Sequence, residues 1–254
     1  MKELILRIIP NFPMVKKGDD LVSVVLRTLD DARYRIKDGD ILVLAQKIVS
    51  KAEGRLVALE SVNPSERATE LAADTDKDPR LVQLILDESQ EVMRSKPGVL
   101  IVRHNLGHVG AHAGIDQSNI DQDDTEKALL LPEDPDKSAK EIRNGIKEKS
   151  GKNVGVIIAD SMNRPWRLGT VGEAIGCAGL TVLDDRRGET DLFGRELKVT
   201  LINRADAIAA FATLGMGETT ERTPLAIVSG YEAESEYGGS AADIIRPKEE
   251  DLFS

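Results

Sequence analysis

Short apolar runs alternate along the chain with longer stretches whose apolar residues recur at three- and four-residue spacing, so the sequence predicts a mixture of strands and helices. The run at residues 154–159 is almost uninterrupted, as is typical of a strand buried on both faces. The short runs together predict strands at residues 3–9, 40–49, 99–103, 108–113, 154–159, 180–183, 197–202 and 225–229.

Two helices are predicted from their first residues. Asn63 is expected to be an N-cap, with Pro64 at the first helical position and the acidic Glu66 at the third. Asp78–Pro79 repeats this opening before a second apolar series. The helix after Asp78 is expected to place several apolar side chains near one face: Leu81, Val82, Leu84, Ile85 and Val92.

Three further helices are predicted at residues 19–29, 138–150 and 205–214, the second ending at Gly151. Strands and helices interleave without strict alternation, and no repeat or low-complexity linker divides them. The sequence therefore predicts an α+β fold of mixed sheets with flanking helices. We expect one domain over residues 1–254, in which the sequence marks no subdomain boundary.

Length and composition indicate whether the chain can fold by itself and in which compartment it is found. With 254 residues, 41% of them hydrophobic, the chain can bury a core without disulfides. Cys177 is the only cysteine, and the small residues at 174–179 predict a buried structural thiol. No apolar run could span a bilayer, and the first seven residues do not resemble a secretory signal. We therefore expect a cytoplasmic protein with no membrane partner.

The net charge limits the classes of ligand. The chain carries 34 Lys and Arg against 44 Asp and Glu, a formal charge of -10, which argues against a nucleic-acid partner. Aromatic residues make up only 3% of the chain, which disfavours a base-stacking surface. An acidic protein can still bind phosphate where metal ions or Lys and Arg screen the repulsion.

The strongest local signal is the segment 156–167, in which an apolar strand ends at Asp160 and Ser161 and two arginines follow. A buried strand holds the side chains at its tip rigidly, so Asp160 is placed for a hard cation. Arg164 and Arg167 are expected to bind a carboxylate or phosphodiester of the substrate. The alternative is that Asp160 only caps the following turn.

A second carboxylate, Asp116, stands in a glycine-containing turn after another predicted strand. Mg²⁺ typically takes one or two carboxylates and leaves its other positions to water and phosphate oxygens. Asp116 together with Asp160 would satisfy that requirement. An ordinary Asx turn would give the same local sequence.

Two further segments are weaker signals. Residues 46–55 gather three cations and a glycine after a strand, which suits phosphate binding but also resembles a polar strand exit. A solvated loop is predicted around the acidic residues Asp121, Asp123, Asp124 and Glu126. Neither a phosphate-loop motif nor a GxGxxG motif occurs, so a common dinucleotide-binding fold is not expected.

His104, His108 and His112 recur every four residues and raise the alternative of a zinc hydrolase. Gly107 and Gly110 are expected to break regular geometry there, and no acidic residue completes an HExxH motif. Ordinary packing or surface histidines are the competing interpretation.

Motifs spread over nearly the whole chain, in order, closely resemble those of the coenzyme F420-0:L-glutamate ligases, also called F420 gamma-glutamyl ligases. Each segment alone is weak, but their joint order is specific. The segments are Gly18–Asp20, Ser50–Arg55, Asn63–Ala68, Gly114–Asn119, Leu129–Pro132, Asp134–Asp136, Ile158–Ser161, Ala174–Gly176, Asp191–Leu197 and Met216–Glu218.

The resemblance implies an amide-forming ligase in which GTP phosphorylates a carboxylate of F420-0. The amine of L-glutamate then displaces phosphate, GDP remains, and further glutamates are added through gamma linkages. The resemblance also implies an unusual α+β fold in an intimate homodimer, with Mg²⁺ or Mn²⁺ as cofactor and potassium as an additional ion.

The resemblance also assigns site residues. Asp116 and Asp160 are implied to bind one divalent ion, and Ser161 with Glu218 a second. The nucleotide contacts implied by the family are Phe12, Pro13, Met14, Val15, Gln46, Lys47, Lys51, Asn119, Met216, Gly217 and Glu218.

One departure bears on specificity. Family members often carry Ser-Thr or Ser-Lys where this chain has Gln46–Lys47, so the resemblance supports guanine preference less than metal binding. A family-like ligase with another carboxylate acceptor or nucleotide is therefore the main alternative, followed by the zinc hydrolase and a non-catalytic nucleotide-binding module.

Overall fold

The computed structural model describes residues 3–122, 125–163, 165–231 and 238–251. Its helices are α1 Leu21–Asp31, α2 Gln46–Glu53, α3 Glu66–Thr75, α4 Pro79–Asp87, α5 Pro135–Ser150 and α6 Arg204–Met216. Its strands are β1 Ile5–Ile8, β2 Ile41–Ala45, β3 Leu56–Ala58, β4 Ser89–Lys96, β5 Val99–His104, β6 Val109–Ala111, β7 Lys127–Leu129, β8 Gly155–Asn163, β9 Thr170–Ala178, β10 Leu183–Asp185, β11 Leu201–Asn203 and β12 Leu225–Ser229. This content confirms the predicted α+β class with mixed sheets.

The largest sheet has five strands in the order β1-β12-β2-β8-β9. Its one parallel pair is β2 with β8, and the other neighbours are antiparallel. Alternate residues of its central strands enter two different cores. Leu42, Leu44 and Ile158 pack with helices α1, α2 and α5. Val43 and Ile157 pack on the opposite face against α6, so helices cover this sheet on both sides.

A smaller region is built around the three-stranded sheet β4-β5-β6. Helices α3 and α4 pack on it through a separate core of small and branched residues: Ala68, Ala72, Val82, Ile85, Leu100, Val102 and Ala113. The two-stranded sheet β3-β7 connects this region to the five-stranded sheet, because β3 follows α2 and β7 precedes α5.

The hairpin β8-β9 fits between helices because β9 carries glycines at its closest contacts. A Cβ at Gly176 would lie 2.3 Å from the carbonyl oxygen of Pro135 in α5. A Cβ at Gly172 would lie 2.4 Å from Oγ1 of Thr213 in α6. The free thiol of Cys177 is buried in the same strand, as predicted, and burial raises its pKa well above the usual value.

Several predicted boundaries were wrong. The strand predicted at 40–49 ends at Ala45, where α2 begins. Ala45 offers no capping side chain, and Ile48 and Val49 continue the apolar run inside the helix, so no local signal marks the change. The strand at 154–159 continues through Asp160 to Asn163 because β9 pairs with it beyond the end of β2.

Other corrections concern caps and short strands. Ser65, not Asn63, is the N-cap of α3, and its hydroxyl accepts a hydrogen bond from the amide of Ala68. Val92 belongs to β4, not to the helix that Asp78 caps as predicted. The strands predicted at 180–183 and 197–202 occur as the short pair β10 and β11. Within the described ranges, no helix is long and apolar enough to cross a membrane.

Candidate functional site

A cavity of about 790 Å³ opens where the parallel strands β2 and β8 part. Ala45 of β2 pairs with Ala159 of β8. Beyond this pair β2 turns into α2 while β8 continues, so Asp160 has no β2 neighbour and lines the cavity. The lining includes Phe12, Pro13, Met14, Val15, Gln46, Lys47, Lys51, Asp116, Asn119, Asp160, Ser161, Met216, Gly217 and Glu218, which the sequence predicted for the site.

The first turn of α2 forms one wall of this cavity. Its N-cap, Ala45, makes no side-chain capping hydrogen bond. Gln46 is buried and accepts a hydrogen bond from Oγ of Ser50, 2.9 Å away, so its side chain is held inside the helix. An N-terminus without a capping side chain, at the positive end of the helix dipole, is suited to bind an anion.

Two lysines of α2 reach from this wall to the loop at 116–119. Nζ of Lys47 lies 2.6 Å from Oδ2 of Asp116 and donates a hydrogen bond to Oγ of Ser118 at 3.0 Å. One turn later, Nζ of Lys51 donates to the carbonyl oxygen of Asn119 at 2.9 Å. Burial and the charge of Lys47 hold the pKa of Lys51 below its usual value. The two ammonium groups therefore place positive charge on this side of the cavity.

Asp160 is half-buried, and the carboxylates of Asp116 and Glu218 are close enough to act on its charge. Burial, together with the charges of Asp116 and Glu218, raises its pKa to about 7 against the lowering effects of the Ser161 amide and Lys47. These effects reach Asp160 only because the cavity brings the side chains together. A divalent cation would stabilise the ionised form of such a carboxylate.

Asp116 is held by its backbone as well as its side chain. It forms an isolated bridge with Leu129, and the Ser118 amide donates to its Oδ1 at 2.6 Å. Burial raises the pKa of Asp116, but the hydrogen bonds from Lys47 and Ser118 outweigh it, so the pKa lies below the usual value. The ionised form of Asp116 is therefore favoured, and its charge disfavours ionisation of Asp160.

A third side of the cavity comes from the segment after α6. Oγ of Ser161 donates a hydrogen bond to Oε1 of Glu218 at 2.5 Å. Nδ2 of Asn119 donates to the carbonyl oxygen of Thr219 at 3.0 Å, which joins this segment to the Asp116 loop. The pair Ser161 and Glu218 predicted for a second ion is therefore in direct contact.

The oxygen donors fit a hard divalent cation in kind. Within the described part of the chain, no three His, Cys, Asp or Glu side chains gather closely enough to hold a metal ion by themselves. Mg²⁺ needs only one or two carboxylates when water and phosphate oxygens complete its shell. Asp116, Asp160 and Glu218 around one cavity supply donors of that type.

Of the two predicted arginines, only Arg167 is among the described residues, and it lies away from this cavity. Arg167 lies on the exposed tip of the β8-β9 hairpin and does not line it, and Arg164 lies outside the described residues. Sequence reasoning missed Arg222, which does line the cavity. It also placed Asp121 in a solvated loop, whereas Asp121 lines the cavity too. Proximity to the Gly114–Asn119 motif and to Met216–Glu218 was the only signal for these two residues.

The histidines of the smaller sheet do not form a cluster of three with metal-binding spacing in the described residues. The rings of His104 and His108 stack with centroids 4.9 Å apart. Nδ1 of His104 accepts a hydrogen bond from the Leu106 amide, and its Nε2 lies 3.7 Å from Glu88. Burial, followed by the charge of His104, lowers the pKa of His108 to about 3. His104 and His108 are therefore packing residues of the smaller region, which was the competing interpretation of their spacing.

Comparison with known proteins agrees with this geometry. Residues 10–230 match the model of the F420-0:Gamma-glutamyl ligase family. The chain is 47% identical over 223 residues, 87% of each chain, to coenzyme F420:L-glutamate ligase of Methanocaldococcus jannaschii. It is 42% identical to the enzyme of that name from Methanothermobacter thermautotrophicus over 96% of each chain. It is 45% identical to the Archaeoglobus fulgidus enzyme over 96% of this chain and 94% of the relative.

Proposed function

Because the chain belongs to the F420-0:gamma-glutamyl ligase family, we propose that it is a GTP-dependent ligase that adds L-glutamate to coenzyme F420-0. GTP phosphorylates the acceptor carboxylate, the glutamate amine displaces phosphate from the acyl phosphate, and GDP and phosphate are the other products. Further glutamates are joined through gamma linkages. This reaction forms an amide bond, as the names of the relatives imply for those enzymes.

One observation carries this proposal: a single cavity has a basic wall and an acidic wall facing each other. The N-terminus of α2 with Lys47 and Lys51 suits the phosphates of a nucleotide. Asp116, Asp160 and Glu218 suit divalent cations, Mg²⁺ or Mn²⁺. A site that takes an anion and a cation together is what a metal-nucleotide complex requires.

The remaining wall suits the base of the nucleotide. Phe12, Val15 and Met216 are buried apolar residues that line the cavity, and Pro13, Met14 and Gly217 lie beside them. An apolar slot of this kind favours a flat ring system, with backbone groups fixing its orientation. Guanine is the proposed base. Gln46, which lines the cavity, departs from the usual family residue, so the strictness of the guanine preference is a question for experiment.

The residues supply the chemistry that the reaction demands. A free carboxylate is a poor electrophile, so activation needs a phosphate leaving group, and two anions must approach each other. Lys47 and Lys51 would screen the nucleotide phosphates during this approach. Divalent cations held by Asp116, Asp160, Ser161 and Glu218 would supply further charge neutralisation, and a potassium ion is proposed as an additional cofactor.

Mass spectrometry tests this proposal most directly. The protein is incubated with F420-0, L-glutamate, Mn²⁺ and GTP, with ATP replacing GTP in a parallel reaction. We expect F420-0 to gain the mass of one glutamyl residue, that is glutamate less one water, only when GTP is converted to GDP and phosphate. Glutamate addition with ATP alone would indicate another nucleotide specificity. Nucleotide binding without glutamate addition would instead support a binding module and contradict the ligase.

The exposed apolar side chains support the homodimer. Trp166 and Phe193 are 96% and 94% exposed, and Leu168, Leu192 and Val199 are similarly exposed. They lie in the turn between β8 and β9 and in the segment between β10 and β11. Large apolar side chains exposed together are typical of interfaces, and oligomers of identical chains are mostly symmetric dimers. We propose that a second copy of the chain covers these residues.

Light scattering coupled to size exclusion tests the dimer. We expect a mass of about twice 27.7 kDa. Phe193→Ser should shift the population toward the monomer, whereas Leu4→Ser, at the opposite edge of the five-stranded sheet, should not. A monomeric wild-type protein would contradict the proposal. A cytoplasmic enzyme without a membrane partner is also proposed, and the net charge of -10 argues against a nucleic-acid partner.

A further inference from the structure

The two lysines of α2 differ in what they hold. Lys47 contacts the carboxylate of Asp116, while Lys51 contacts a backbone carbonyl in the same loop. Oδ1 of Asp116 already accepts the Ser118 amide, so Lys47 engages the other oxygen, Oδ2. The ammonium of Lys47 therefore occupies Oδ2 of Asp116, the oxygen that the Ser118 amide leaves open to a metal ion.

A metal ion and Lys47 cannot share that oxygen without repulsion. Divalent cations bind carboxylate oxygens at roughly 2.0–2.6 Å, which would place the ion within about 5 Å of Nζ of Lys47. The Lys47 and Asp116 side chains are only 26% and 32% exposed, so water screens the repulsion incompletely. A cation that takes Oδ2 of Asp116 must therefore displace the Lys47 ammonium.

Lys47 has a second possible anionic partner, at the N-terminus of its own helix. It is the second residue of α2, whose N-terminus carries no side-chain cap and lines the same cavity. A phosphate bound at that terminus offers oxygens to an ammonium on a flexible four-carbon stem. Moving from carboxylate to phosphate lets Lys47 keep an anionic partner while Asp116 takes the metal ion.

We propose that Lys47 exchanges between Asp116 and the nucleotide phosphate, and so couples cation binding to nucleotide binding. This inference rests on the proposed function, because the phosphate is the nucleotide's. Without a phosphate, Lys47 opposes the cation. With a phosphate, the opposition is relieved, so each ligand tightens the other by the same factor.

The experiment measures Mn²⁺ binding by the electron paramagnetic resonance signal of free Mn²⁺, with and without GDP. In the wild type we expect GDP to tighten Mn²⁺ binding about tenfold, a common size for coupling between sites. Lys47→Met should bind Mn²⁺ more tightly than the wild type without GDP, and GDP should then tighten Mn²⁺ binding by a smaller factor than in the wild type, through its direct contact with the ion alone. GDP itself should bind more weakly to this variant.

Two controls make the outcome specific. Lys51→Met removes a neighbouring positive charge but no contact with Asp116, so its Mn²⁺ affinity without GDP should stay near the wild-type value. Lys47→Arg keeps the charge and should restore the opposition to Mn²⁺. Thermal unfolding and circular dichroism would establish that each variant is folded before its affinity is compared.

Each failure has its own meaning. If wild-type protein binds Mn²⁺ with GDP coupling, but Lys47→Met binds Mn²⁺ no more tightly without GDP, the exchange by Lys47 is wrong and the proposed function stands. If Asp116→Asn leaves wild-type Mn²⁺ affinity unchanged, the metal site itself is wrong. Equal gains in Lys47→Met and Lys51→Met would show a general charge effect and would also overturn the exchange.

Discussion

The two regions of the molecule contribute carboxylates to one cavity in different ways. The five-stranded sheet supplies Asp160 from a buried strand, where packing on both faces fixes its position. The smaller region delivers Asp116 from the loop after β6, where Lys47 and Ser118 hold it. The Asp160 pKa is raised to about 7, and the Asp116 pKa is lowered.

This difference shows that residue type alone does not set the ionisation state of a carboxylate in the cavity. Burial and neighbouring carboxylates disfavour the charge of Asp160, so a cation relieves its environment. Asp116 already has a positive partner, so a cation has to compete there. The rigid strand and the tethered loop are therefore expected to respond differently to the same Asp→Asn substitution.

The largest expected effect belongs to Asp160→Asn. We expect glutamate addition to fall about 10²–10³-fold or more, because an electrostatic contact to the reacting groups is lost. In metal-free buffer at pH 8 the free energy of unfolding of the variant should exceed that of the wild type by about 1–3 kcal/mol, because a partly buried charge that Asp116 and Glu218 repel is removed. Mass spectrometry and urea unfolding with a chelator measure the two effects.

Asp38→Asn provides a matched control, since Asp38 is an exposed carboxylate paired with Lys152 away from the cavity. It should leave glutamate addition unchanged. Near-normal activity of Asp160→Asn at ordinary Mn²⁺ concentration would contradict its assigned role.

Asp116→Asn should reduce glutamate addition by about 10²-fold. It should also lower the free energy of unfolding, by about 1 kcal/mol, since Lys47 loses its anionic partner in a partly buried setting. The opposite signs of the two stability changes are the sharpest test of the contrast between Asp116 and Asp160. Two stability changes of the same sign would contradict the contrast between the two carboxylates.

Substitution of Arg222 or Arg167 is expected to have an effect of intermediate size on substrate binding. Arg222 lines the cavity and Arg167 does not, so Arg222→Ala should raise the KM for F420-0 about tenfold and Arg167→Ala should raise it less. Steady-state kinetics of the two variants separates these expectations. An effect confined to Arg167→Ala would restore the role that the sequence predicted for it.

The last expected effect is a pH dependence of stability in the smaller region, with no expected change in glutamate addition. His108 has a folded pKa of about 3, below its usual 6.5, so the folded state binds fewer protons than the unfolded state between these values. Its contribution is present above pH 6.5 and is lost progressively as pH falls toward 3. In His108→Gln the free energy of unfolding, measured with urea, should fall by about 1–3 kcal/mol less than in the wild type over this pH range.

The His108 test needs a reference, because carboxylates titrate over the same range. His112→Gln is a useful one, since the pKa of His112 is also lowered by burial, but the residue lies beyond the stacked pair. An unchanged pH slope in His108→Gln would mean that the stacked ring does not determine acid sensitivity.

The sequence by itself determined much of this protein. Apolar periodicity and caps predicted most helices and central strands, because burial on one face or two imposes those periods. The uninterrupted run before Asp160 predicted a rigid carboxylate, and ordered motifs predicted the family and about half of the residues that line the cavity. Boundaries without local signals, such as the start of α2 after Ala45, were missed.

Only the tertiary structure decided how these groups act on one another. Asp116 and Asp160 come from different regions, and their meeting depends on packing between elements distant in the sequence. The contact of Lys47 with Asp116, the inclusion of Arg222 and the exclusion of Arg167 follow from the same packing. A charge depends on burial and on neighbours within a few ångströms, and a linear sequence does not contain those distances.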